Sequence, residues 1–143
     1  MKITSKLFTR LSAIFIFIHL LGHTGGHMGW DDETGPLYHV VKVMKGNSAE
    51  FMGATKSMAD YFNGYSIMLF GVFGMSILIL WNVANHLQTN KQLAKPILAS
   101  MGIAYLFFGV VEYLYFFPFA AFISIFAGLF ALIAVLKLKS ETV

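Results

Sequence analysis

The sequence contains no cysteine. Disulfides, thiolate metal centres and thiol nucleophiles are therefore excluded, while nothing follows about compartment. Charge is scarce as well. Asp, Glu, Lys and Arg make up 12% of the 143 residues, about half of what soluble domains carry. Neither a glycine-rich phosphate loop nor a serine-nucleophile elbow is present. Internal repeats and low-complexity tracts are lacking too. The net charge of +3 does not gather into one basic patch, so nucleic acid is not an expected partner.

What the chain has instead is apolar surface: 57% of its residues are hydrophobic and 16% aromatic. A soluble domain of this size has too little interior to hide them, whereas a bilayer does not require it to. Four apolar runs stand out, at about 7–26, 64–83, 96–116 and 119–138. Each is close to the ~20 residues an α-helix needs to cross the hydrocarbon core. The expected fold class is all-α: an integral membrane four-helix bundle in which 1–143 form a single domain and membrane lipids are the first partners. The first run has the basic start and apolar centre of a signal peptide, and Thr24-Gly25-Gly26 resembles a weak cleavage site. We expect it to be retained as the first span.

Charge placement sets the expected topology. Lys2, Lys6 and Arg10 precede the first run, Lys91 and Lys95 lie between the second and third, and Lys137 and Lys139 end the fourth. Only Glu141 opposes them. The 28–62 segment carries Asp31, Asp32, Glu33, Glu50 and Asp60 against Lys42, Lys45 and Lys56. The positive-inside rule puts both termini in the cytoplasm and the long segment outside, which in the inner membrane of a bacterium means the periplasm. Within that segment Leu37 to Met44 predicts a short interfacial helix ended by Gly46-Asn47. A further helical turn is expected to lead from Ala49 into the second span, and the segment is expected to cap the bundle mouth.

One polar constellation interrupts the apolar runs. His19, His23 and His27 recur at i, i+4 and i+8 in the first run, which keeps them on one side of a helix. Glu112 is the one acid inside an apolar run, and Asp60 and Asn63 open the second. With alternating span directions these groups converge in the outer leaflet, and His23 and Glu112 are expected to be neighbours. Ionisable groups inside a membrane face the interior and pair. The stripes Gly102, Tyr105, Gly109, Glu112 and Ala120, Ser124, Ala127, Gly128, Ala131 read as helix contacts, as do Gly64, Gly71 and Gly74.

Four uses of this cluster stay open. Histidine and glutamate can simply fix helix register. They can form a ligand-binding or catalytic pocket for a lipid-like or small substrate, with His19, His23, His27, Asp60, Asn63 and Glu112 as its lining. His23, His27 and Glu112 can hold a divalent metal ion, since imidazole and carboxylate suit zinc or iron. A bis-histidine haem needs a second histidine at matching depth across the bundle, and neither His39 nor His86 is so placed.

The pattern His19-x-x-Gly22-His23-Thr24-x-Gly26-His27, followed by Gly53-x-x-Lys56-Ser57-x-x-Asp60-Tyr61-Phe62-x-Gly64, resembles an uncharacterised family of short bacterial four-span membrane proteins. Those proteins are similar in layout to DoxX-type four-helix bundles. Ala59 stands where that pattern has an aromatic. The resemblance implies the fold and the choice of His23, His27 and Asp60, and it implies no activity. Small size and the lack of any soluble domain favour an accessory subunit of a larger membrane complex over a binding protein or enzyme.

Overall fold

The computed structural model describes residues 4–140, the side chains of 139 and 140 excepted. Lys2, Glu141 and Val143, and the Lys139 side chain, lie outside that description. The element order is α1 (Ser5–Gly29), α2 (Tyr38–Gly46), β1 (Ser48–Phe51), β2 (Ala54–Ser57), α3 (Met58–His86), α4 (Lys91–Tyr115) and α5 (Pro118–Ser140). Four of the helices are long and apolar enough to cross a membrane. Each overruns its apolar run into polar flanks, because hydropathy marks only the part that suits hydrocarbon, whereas backbone hydrogen bonding continues wherever propensity allows. Thus α4 starts at Lys91, five residues before Pro96. Pro118 opens α5, where its missing N–H costs nothing.

The chain forms two compact units. One joins α1 up to Leu20 with everything from Phe73 onward, and the other holds Leu21–Val72. In the first unit α4 and α5 run antiparallel with their backbones in contact. A Cβ added at Gly128 would stand 2.7 Å from the carbonyl oxygen of Gly102 and 2.9 Å from the Leu106 nitrogen. Ala120, Ala121, Ser124, Ala127 and Ala131 line the same buried face of α5. Close backbone approach through small residues is how helices gain dispersion contact where lipid offers no hydrophobic contrast. α1 lies against α5 through the Ser12 hydroxyl, which donates to the Ala127 carbonyl at 2.8 Å, and through Phe15, whose ring is 5.2 Å from that of Phe130. Arg10 reaches α3, with its guanidinium 5.2 Å from the Trp81 ring and 3.3 Å from Asn85 Oδ1.

The second unit is built differently from the sequence expectation at one place. Helix α2 forms as expected, and Asn47 ends it in extended backbone. Beyond it the chain makes an antiparallel hairpin, β1 to β2, pairing Ser48 with Ser57 and Phe51 with Ala54, instead of a helical turn from Ala49. The reason lies at the tip: Met52 (φ 52°) and Gly53 (φ 81°) both have left-handed backbone, the conformation of a two-residue hairpin turn. Gly53 adopts it without penalty and Met52 is carried along. Helix α3 begins after the hairpin, with Ser57 and Asp60 closing its N-terminus reciprocally. The Asp60 N–H donates to Ser57 Oγ at 3.1 Å, and the Ser57 N–H donates to Asp60 Oδ2 at 2.8 Å, a capping box.

Large apolar side chains point away from the protein on every long helix. Ile67, Met68, Leu78, Phe107, Leu114, Phe119 and Leu136 are all more than half exposed. Water-soluble monomers rarely expose so many large apolar side chains together.

Candidate functional site

Of the residues singled out by sequence, His19 and Glu112 come together inside the first unit. His19 Nε2 lies 3.5 Å from Glu112 Oε1, and both side chains are nearly closed off. His19 Nδ1 lies 3.1 Å from Ser124 Oγ. The Phe73 ring covers the imidazole at 4.6 Å. Three helices, α1, α4 and α5, supply the three polar groups, and α3 supplies the cover. Glycines fix this placement, since Gly109, one turn before Glu112, lets α5 approach to where Ser124 meets the imidazole. The imidazole that meets Glu112 is therefore that of His19, one helical turn earlier on α1 than the expected His23. The expectation counted depth from the ends of the apolar runs, whereas α1 continues to Gly29, past the end of its run, and α4 stops at Tyr115, just short of the end of its own.

Hydroxyl, imidazole and carboxyl in a row are the groups of a hydrolytic triad. Their placement argues against that use. Ser124 is fully buried, so no substrate carbonyl can reach its oxygen in this arrangement. The three groups act as a strut: each meets part of the desolvation cost of the next, which is what tolerable burial of ionisable groups requires.

In the second unit His23 and His27 converge on one residue of α3, Ser66. His23 Nε2 is 2.9 Å from the Ser66 carbonyl oxygen and 3.1 Å from its hydroxyl, and His27 Nδ1 is 2.8 Å from the same hydroxyl. A carbonyl only accepts, so His23 Nε2 carries a proton. The Ser66 hydroxyl is then free to donate to His27 Nδ1. The Phe70 ring packs on both imidazoles, at 4.9 and 5.3 Å. Among the described residues no group of three or more His, Asp and Glu side chains is placed to hold a metal ion.

Asp60 and Asn63 lie apart from the histidines in sequence and in role. Asp60 caps α3, and its Oδ2 also accepts from Ser57 Oγ at 2.9 Å. Both residues line a recess of about 480 Å³ together with Trp30, Asp31, Lys45 and Ser48. There Lys45 Nζ is 2.9 Å from Asp31 Oδ2 and 5.7 Å from the centre of the Trp30 ring. The neighbouring ammonium holds the Asp31 carboxyl below its usual range, and the Thr34 N–H and hydroxyl do the same for Asp32.

Sequence reasoning missed the serines. Ser57 was legible, because Ser57-x-x-Asp60 before an apolar run is a capping signature. Ser66 left no such trace: a serine in an apolar run has no pattern of its own, and only the fold brings it opposite two histidines. Comparison with protein-family models, with curated proteins and with solved structures finds no match to this chain.

Proposed function

We propose that this chain is a multi-pass protein of the bacterial inner membrane, with both termini in the cytoplasm, and that it works as an accessory subunit of a larger membrane complex. The observation that carries the reading is a contrast between two sets of glycines. Gly102, Gly109 and Gly128 are filled by the facing helix, whereas Cβ atoms added at Gly64, Gly71 and Gly74, or at Gly22, Gly25 and Gly26, would meet nothing within 4 Å. The sequence pattern put Gly64, Gly71 and Gly74, like Gly102, Gly109 and Gly128, and also Gly22 and Gly26, on contact stripes. Among the described residues, the α4–α5 set is the one filled by a facing helix of its own unit. Small residues in lipid serve close helix approach, so the open set suits a helix supplied by another polypeptide. The enclosed His19–Glu112–Ser124 strut agrees, since it is occupied in holding the protein's own helices together.

Extraction from native membranes in mild detergent tests this. The wild-type chain should migrate in native electrophoresis within an assembly larger than its own micelle. Gly71→Leu, which has room in the protein itself, should release the chain from that assembly without lowering its melting temperature. A wild-type chain that runs alone, even after cross-linking in the membrane, would overturn the proposal.

A further inference from the structure

Two cavities of the Leu21–Val72 unit meet at Asp60 and Asn63. The first is the polar recess with Trp30, Asp31 and Lys45. Lys56, Tyr61, Gly64, Ile67 and Met68 wall the second, of about 460 Å³. Gly64, Ile67 and Met68 follow Asp60 at i+4, i+7 and i+8, so they continue its face of α3 for about 12 Å into the apolar run. A single occupant of both cavities needs a polar end and an apolar tail.

The charges say which polar end. Asp31 and Lys45 are already paired, and Asp60 is the other carboxylate of the recess, with Lys56 near enough to act on it electrostatically. Its Oδ2 receives both Ser57 donors, and Oδ1 takes no part in those bonds. An added anion would face two carboxylates there, whereas an added cation would meet one of them directly. The Lys45 ammonium, held between Asp31 and the Trp30 ring, is an example of the kind of group this recess accommodates. Lys56 lines the apolar cavity together with Asp60.

We infer that the two cavities bind one zwitterionic phospholipid. Its ammonium sits in the recess against Asp60, its phosphate faces Lys56, and an acyl chain lies along Gly64, Ile67 and Met68. Such a lipid carries a cation, an anion and an apolar chain, and Asp60, Lys56 and the apolar wall offer one complement to each. On the subunit reading the lipid takes the Gly64 end of α3 and leaves Gly71 and Gly74 to the partner helix, and its retention is measured without that partner.

Native mass spectrometry of the full-length protein in detergent tests it, with phosphatidylethanolamine and phosphatidylglycerol of identical chains offered in equal amounts. The wild type should retain one phosphatidylethanolamine, preferred about ten-fold. Gly64→Leu, whose Cβ has open space, should fill the apolar cavity and lose the adduct at unchanged melting temperature. Asp60→Asn keeps an acceptor for the Ser57 N–H, and should keep binding but lose the preference. Free phosphoethanolamine should not compete at the lipid's concentration. Equal retention of the two lipids by wild type would overturn the inference. So would an adduct indifferent to both substitutions, or full competition by the free headgroup.

Discussion

At the scale of single residues, the protein turns on whether a buried group has a partner. His19 and Glu112 are each other's neighbours in an apolar surrounding. In water-soluble proteins, removing one member of such a pair costs about 3–5 kcal/mol. In a bilayer the unfolded reference also finds partners, and interhelical polar contacts measure about 0.6 kcal/mol on average, with a maximum near 1.7. The membrane figure governs here, so Glu112→Gln and His19→Ala should each cost about 1–2 kcal/mol. The double variant should lose less than the sum, because neither group is then stranded. Strict additivity in thermal unfolding in detergent would separate them. The glycines give a second measurement. Gly128→Ala drives a methyl into backbone and should cost about 1–3 kcal/mol, whereas Gly71→Ala, in open space, should gain up to about 1 kcal/mol through helix propensity. Sequence identified these residues but not their pairings. Histidines four apart share a helix face, and only the relative depth of the neighbouring helix decides which of them a carboxyl meets.

At the scale of elements, the long helices and α2 were legible because periodicity and length leave little choice, whereas the hairpin was hidden. Its signal is a single Gly53 with no Asn or Asp before it, in strands too short and exposed to show alternation. Met52 sits in a conformation that Asn tolerates far better. Met52→Asn should therefore stabilise the turn by about 1 kcal/mol and slow amide exchange across β1 and β2. Ser57→Ala removes the cap of α3 and should cost about 1 kcal/mol, fraying the first turn of that helix before the rest. Acid probes the segment ahead of the hairpin. Asp31 and Asp32 have lowered folded-state pKa values, so their contribution is present above the ordinary carboxylate pKa, near 3.9. It disappears as pH falls through the lowered values. Amide protection over residues 31–46 should thus hold from neutral pH down to about 4 and decline below it. Because the Asp31–Lys45 pair is exposed, added salt should weaken it at neutral pH as well. Protection that declines already between pH 7 and 5 would place the responsible group elsewhere.

At the scale of the whole molecule, the four helices long and apolar enough to cross a membrane were legible from composition and run length. Which neighbour each span touches was not. Orientation rests on a different quantity, the distribution of charge at the ends of the spans. Seven basic residues against one acid lie at the two termini and between the second and third spans, and five acids against three lysines lie in 28–62. Retention of Lys and Arg on the cytoplasmic side is counted over short loops near span ends. The four-residue connection between α3 and α4 meets that condition. A reporter active only in the cytoplasm should therefore work when fused after Val143, and one active only in the periplasm should work when inserted at Glu33. Lys91→Glu with Lys95→Glu removes the signal from one loop while the termini keep theirs, so the fraction of correctly oriented chains should fall without reaching zero. Periplasmic activity of the Val143 fusion would reverse the orientation. The headgroup recess at Asp60 would then face the cytoplasm, and the lipid leaflet that supplies it would change with it.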